Sequence, residues 1–125
     1  MKRLIAMVIA ALMLPLAALA APGDMNVATF LTKADGLRAM GPAAFLSSDY
    51  GLLKAEGKAA GAQYKARLTR ERAAGRPSSC PPEGAGFSAD QLLAHLRTYP
   101  PAVRPQVSIR QAVADYFITK HPCRK

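Results

Sequence analysis

The sequence predicts a small all-α domain of four to five helices held by one disulfide. Three observations predict it. Apolar residues recur at spacings of three and four through most of the chain, and no segment alternates as a half-buried strand does. Two segments open on Ser-x-x-Gln, the pattern of a helix capping box. Two cysteines, Cys80 and Cys123, follow an export-type leader, where an oxidising compartment makes a disulfide the default state.

Composition bounds the answer further. The chain has 125 residues, enough for one domain and too few for a multidomain enzyme. Half of them are hydrophobic, which argues against wholesale disorder. Four Tyr, four Phe and no Trp leave the core to aliphatic side chains and Ala. With 17 Lys or Arg against 8 Asp or Glu, the formal charge is +9. Nucleic acid, anionic membrane surfaces and acidic proteins are the partners such a balance favours.

Residues 1–20 read as a signal peptide. Lys2 and Arg3 precede an uncharged run from Leu4 to Leu19, and Ala18-Leu19-Ala20 fits the small-x-small cleavage rule. An uncleaved anchor fits less well, because the run is broken at Pro15 and is shorter than the roughly 20 residues of a membrane span. No Cys follows the run to carry a lipid anchor. The expected mature domain is 21–125, placed in the periplasm through the Sec pathway. Two units of the positive charge then belong to the leader alone.

The first helix is expected from Met25 to Met40, with Asp24 as N-cap. Val27, Phe30, Leu31, Ala34, Leu37 and Met40 form its inward stripe. Gly41 and Pro42 end it, and a short helical turn through Ala43–Leu46 follows. A long segment then runs from Asp49 to Ala74, with Ser48 or Asp49 as its cap and Gly75 and Pro77 as its stop. Its inward stripe is Leu53, Gly57, Ala60, Gly61, Tyr64 and Leu68. Each interior glycine costs about 1 kcal/mol of helix propensity, so the small side has a use. Packing against a bulky neighbour within the chain is preferred, and a groove or a homodimer seam through Gly57 and Gly61 is the alternative. The outer face carries Lys54, Lys58, Lys65, Arg67, Arg70, Arg72 and Arg76, answered only by Glu56 and Glu71.

Arg76–Gly86 is a Pro- and Gly-punctuated loop that neither helix nor strand can cross. The fourth helix starts at Ser88, boxed with Gln91 and stapled by Phe87 against Leu92. Leu92, Leu93, Leu96 and Tyr99 give its apolar side, Pro100 and Pro101 stop it, and His95 is expected on the exposed side. The fifth helix repeats the pattern with Ser108 and Gln111, with Val107 and Ala112 as a weaker staple. Ile109, Ala112, Val113, Tyr116 and Phe117 face inward, and Pro122 ends it before Cys123.

Chemistry-bearing patterns are sparse. Two cysteines and two scattered histidines have no metal-ligand spacing. Cys80 in a Pro-rich turn and Cys123 near the end make poor catalytic thiols. His95 and His121 have no evident nucleophile and orienting carboxylate, and the eight acids form no acid/base couple. No phosphate-cradling glycine motif is present. Nucleic-acid surfaces interleave basic residues with stacking aromatics, and the basic helix offers only Tyr64. The expectation is a protein without enzymatic activity, cofactor, metal or nucleic-acid partner.

Several short motifs carry a family resemblance. Cys80-Pro81-Pro82, Gln91-Leu92-Leu93, Tyr99-Pro100, Ala112 and Pro122-Cys123 resemble the C-terminal half of the Rap/Tai family. In that family a Cys-x-Pro opens the half, a Gln-Leu begins a helix and a Pro-Cys closes it. Phe30-Leu31 and Leu37 are similar to the family's first helix. Gly57, Gly61 and Tyr64 fall where members carry a Cys-x-Gly-Tyr-x-x-Gly type segment. The chain departs from the family in lacking the additional N-terminal cysteine pair. The resemblance implies a small exported helical protein, and for its function an immunity protein that neutralises a peptidoglycan amidase effector of type VI secretion. The residues expected to meet such a partner are Ser78, Ser79, Glu83 and Phe87 around the loop, with Lys65, Arg70 and Arg72 on the basic face. The alternative is an envelope-associated or stress helper in the periplasm that binds clients or anionic surfaces.

Overall fold

The apolar stripes read from the sequence turn inward in the computed structural model, which describes residues 21–124. Met40, at the end of its helix, is the exception and is exposed. Four helices form, α1 (Val27–Met40), α2 (Ser48–Ala73), α3 (Ala89–Arg97) and α4 (Ile109–Lys120), with 3-10 turns at Gly41–Leu46 and Arg104–Gln106. Among the described residues there is no strand, only an isolated antiparallel bridge between Asn26 and Ser108. The expected leader, residues 1–20, lies outside the described residues. Among the described residues no helix is long and apolar enough to cross a membrane.

Helix α4 is the hub. It contributes Ile109, Ala112, Val113, Tyr116 and Phe117 to the core and packs on the other three helices, most extensively on α2. Tyr64 of α2 stacks on Phe117 with ring centroids 5.0 Å apart. Phe87, in front of α3, meets Tyr116 and Phe117 edge-on. Such offset and edge contacts suit the ring quadrupoles and add to simple area burial. Leu92 and Leu96 of α3 and Val27, Phe30 and Leu31 of α1 complete the core.

The helix ends show where local rules hold and where they yield. The Ser88–Gln91 capping box is fully formed, as expected. At α4 only half of the second box exists. Ser108 Oγ accepts from Gln111 N, but the Gln111 side chain turns to Asp115. The first two α4 amides find other acceptors: Ile109 N donates to Met25 O and Arg110 N to Gly23 O. The first helix starts two residues later than expected. Asn26, not Asp24, caps it, its side chain accepting from Thr29 N at 2.8 Å. The reason is that Asn26, just before Val27, is extended and bridges to Ser108. Helix α2 is capped by Ser47 rather than Ser48 or Asp49. Its far end closes as expected at Gly75, whose φ of +72° is ordinary only for glycine.

The two interior glycines of α2 are covered from within. A Cβ at Gly57 would stand 3.5 Å from Leu92, and one at Gly61 3.6 Å from Phe87. The chain's own Phe87 and Leu92 pack on that face, which is the intramolecular packing preferred over a homodimer seam at Gly57 and Gly61. The expected disulfide forms between Cys80 and Cys123, with Cα atoms 4.9 Å apart across 43 positions.

Replacing both cysteines by Ser removes a long-loop constraint on the unfolded chain and should cost about 4 kcal/mol, read from urea midpoints. An unchanged midpoint would contradict that role. The glycine contacts make a less obvious prediction. A methyl group at either glycine would lie at ordinary van der Waals distance, so Gly61→Ala should raise stability by about 0.5–1 kcal/mol through helix propensity. Gly61→Leu should instead displace Phe87 and cost about 1–3 kcal/mol.

Candidate protein-binding surface

The loop after α2 is wired to the helix it leaves. Cys80 ties it to the C-terminus through the disulfide, and Cys80 N donates to His121 O at 2.7 Å. Glu71 Oε1 accepts from Ser78 N at 3.1 Å and from Ser78 Oγ at 2.5 Å, while Glu71 Oε2 accepts from Arg67 Nε. Tyr64 Oη lies 2.9 Å from Ser78 Oγ and 2.5 Å from Ser79 Oγ. Because Ser78 gives its hydroxyl proton to the carboxylate, the protons run one way: Ser79 donates to Tyr64, Tyr64 to Ser78 and Ser78 to Glu71. The Ser78 hydrogen bond first, and the Arg67 guanidinium second, hold the Glu71 carboxyl below its ordinary range.

This wiring corrects one expected contact residue: Ser79 is fully buried, while Ser78 is half-buried and engaged in holding the loop. Phe87 is also half-buried and belongs to the core, over Gly57 and Gly61. Glu83 is exposed, in a turn closed by Ala85 N donating to Pro82 O. Lys65 and Arg72 are exposed and, seven positions apart, share one face of α2. Arg72 reaches the loop at Pro81 O, 3.4 Å away. Arg70 points elsewhere. It lines an open groove of about 630 Å³ between α2 and α4, together with Arg67, Arg110, Gln63 and Gln111. In that groove Arg67 pairs with Glu71 and Arg110 with Asp24, while Arg70 makes no ion pair among the described residues. Arg72 thus adjoins the loop that carries Glu83, Lys65 lies about two turns back on the same helix face, and Arg70 is set apart.

A second polar cluster escaped the sequence reading. Tyr99 Oη donates to Asp115 Oδ2 at 2.5 Å, and His95 Nε2 lies 3.3 Å from the same hydroxyl. These groups border a groove of about 370 Å³ with Thr98, Ile118 and Thr119. The expectation of an exposed His95 is corrected: the ring is half-buried, set edge-on to Tyr99 and Tyr116. Burial lowers its pKa, with hydrogen bonding to the Ala112 backbone and the Asp115 charge opposing. Burial and then Asp115 raise that of Tyr99, so the phenol stays protonated and serves as a donor. The four-residue spacing of His95 and Tyr99 was visible, but their meeting with Asp115 across the hairpin was not. Among the described residues no three His, Cys, Asp or Glu side chains gather as a metal would require. No family model matches the chain, and neither a curated protein nor a solved structure matches it.

The loop wiring has a pH signature. With its folded pKa depressed, Glu71 stabilises the loop above the ordinary carboxylate range and loses that effect as pH falls through the folded value. Amide exchange of Ser78 and Cys80 should therefore accelerate, beyond the intrinsic pH trend, on acidification below about pH 4.5. Glu71→Gln should show the fast exchange already at neutral pH. Equal protection in both proteins would remove Glu71 from the role.

Proposed function

We propose that the chain is an exported helical binding protein without catalytic activity, acting as a Rap/Tai-type immunity protein against a peptidoglycan amidase effector. One observation supports this most: an exposed loop, tied down by a disulfide and a carboxylate-directed hydrogen-bond chain, is touched by Arg72, the near end of a basic row that Lys65 continues along α2. A loop ordered before binding loses little entropy on docking. Unanswered cations beside it steer an acidic partner and speed encounter. In this reading Pro82–Gly86, with Glu83 at its tip, enters the partner's cleft while Lys65 and Arg72 contact its rim. The short motifs around Cys80, Gln91 and Pro122-Cys123 support the family assignment. The export leader, cut after Ala20, and the disulfide belong to the same reading, since both suit the periplasm.

Catalysis is the poorer reading of the His95–Tyr99–Asp115 cluster. The phenol is committed to the carboxylate, and no hydroxyl or thiol nucleophile among the described residues, other than that phenol, is hydrogen-bonded to the imidazole. The second reading, an envelope-associated helper that binds anionic surfaces, draws on the unpaired Arg70 and its cationic groove. Salt separates the two, because a surface-charge attraction weakens steeply with ionic strength and a tight stoichiometric complex does not.

The test is capture from a periplasmic extract followed by activity on purified peptidoglycan. The expected result is a hydrolase that binds and is suppressed by the native chain, with suppression at least about tenfold weaker for Lys65→Glu/Arg72→Glu, in line with loss of steering charge. Failure to bind or suppress any hydrolase would end the inhibitor reading. Turnover of peptidoglycan by the chain itself would overturn the absence of catalysis.

A further inference from the structure

The largest exposed apolar side chains lie together, and far from the loop. Leu46 is 91% exposed and Phe45 69% exposed, both on the 3-10 turn Gly41–Leu46 between α1 and α2. Phe45 rests edge-on against Tyr50, centroids 5.0 Å apart, and Tyr50 is itself over a third exposed. The turn reads Gly-Pro-Ala-Ala-Phe-Leu, so it has no polar side chain at all. Its backbone is partly satisfied internally: Gly41 N donates to Arg38 O and Ser47 N to Ala44 O, and Pro42 has no N–H to satisfy. Water gains nothing from such a tip, and exposed apolar clusters of this kind mark contact sites.

The charges around the tip are of one sign. Asp49 is taken by Lys33 at 3.1 Å and Asp35 by Arg97 at 2.8 Å, and Glu56 is buried. The groups that remain without an ion pair among the described residues are Arg38, at the end of α1, and Lys54 and Lys58. Tyr50, Lys54 and Lys58 are spaced by four and so lie in one row along α2, running back from the apolar tip. An apolar point with a cationic collar is complementary to a surface that is apolar inside and negative outside.

We propose that Gly41–Leu46 inserts into the interfacial layer of an anionic phospholipid bilayer, with Arg38, Lys54 and Lys58 seated on its headgroups. The arrangement is that of membrane-surface segments, in which buried apolar side chains and basic residues add their attractions. A protein partner fits less well. A stable protein contact covers about 800 Å² per side, while a large aromatic side chain supplies about 200 Å². A few protruding apolar side chains whose unpaired neighbours are all basic suit shallow insertion into an anionic lipid layer. This surface is separate from the loop and from the Arg70 groove, and the variants at the tip and its collar tell its lipid contact apart from any attraction of that groove to anionic surfaces.

The experiment uses the whole chain and vesicles of phosphatidylglycerol and phosphatidylethanolamine, with phosphatidylcholine vesicles as the neutral control. Flotation should recover the protein with the anionic vesicles only. Phe45→Ser/Leu46→Ser should weaken binding about tenfold or more, since two apolar side chains no longer enter the lipid. Arg38→Gln/Lys54→Gln/Lys58→Gln should weaken it to a similar degree and flatten its salt dependence. None of the five positions is buried, and unchanged far-ultraviolet circular dichroism checks that the variants fold. The chain has no Trp, so Phe45→Trp provides a single reporter whose emission should shift to the blue on anionic vesicles. No binding to anionic vesicles, equal binding by the serine variant, or an unshifted Trp would overturn the proposal. So would a self-associated native protein that the serine variant renders monomeric without any vesicle binding.

Discussion

A buried carboxylate organises the start of the chain. Glu56 of α2 is 6% exposed, and its Oε2 accepts from Gly23 N at 2.7 Å and from Met25 N at 3.4 Å. Placing a carboxylate inside is unfavourable unless donors replace the lost water, and here two backbone amides do so. The bond fixes the run through residues 23–26, and that run then serves two helices. Its carbonyls at Gly23 and Met25 receive the amides of Arg110 and Ile109, and Val27 N donates to Val107 O. Two donors that the first turn of α4 leaves open, Ile109 N and Arg110 N, are thereby satisfied by tertiary contact. Gly23 is required at this point. Its φ is +101°, and a Cβ would come within 2.9 Å of Gln63 Oε1.

Helix α4 is consequently held at both ends by parts of the chain distant in sequence. The N-terminal run grips its first turn, and the disulfide with the Cys80–His121 backbone bond grips the residues after its last. Between these ties lies the ring stack of Tyr64, Phe117 and Phe87. Tyr64 links the two systems, since its ring is core and its hydroxyl relays the loop's hydrogen bonds to Glu71. The loop is therefore an extension of the core rather than an appendage. A surface of that kind can keep its shape through an encounter with a partner, which is the physical basis for reading it as a preformed contact.

The legible features were those decided within one turn of helix. Ser88 with Gln91, the stripes of α1 and α4, and the stop at Gly75 follow from spacing and backbone chemistry that neighbours do not alter. The disulfide was legible because two cysteines leave only one pairing. The illegible features depend on partners far away in sequence. Glu56 looked like one acid on a charged face, and its burial is explained only by amides more than 30 positions upstream. Ser78 and Ser79 looked free because nothing local announces the Tyr64 hydroxyl. His95 looked exposed because a rule that counts apolar residues does not foresee two tyrosine rings closing around an imidazole. Arg70 and Arg72 looked equivalent in composition, yet two positions turn a helix by about 200°, enough to send one to the groove and the other to the loop.

The same dependence explains how a chain with eight acids presents so cationic an exterior. Asp24, Asp35, Asp49 and Glu71 are each paired with a base, Asp115 accepts the Tyr99 hydroxyl, and Glu56 is inside. Folding thus uses most of the negative groups as internal ties, and Glu83 and Asp90 remain on the surface without such a partner among the described residues. The bases outnumber these ties, so unpaired cations are left along the whole of α2, from Lys54 and Lys58 to Lys65, Arg70 and Arg72. At 1.5 Å per residue its 26 residues span about 39 Å, with the apolar tip before its first turn and the pinned loop after its last. That distance exceeds the roughly 8–10 Å screening length of physiological salt several times over. Charge at one end therefore does little to the other, and a contact made by the tip leaves the loop free to engage a different molecule.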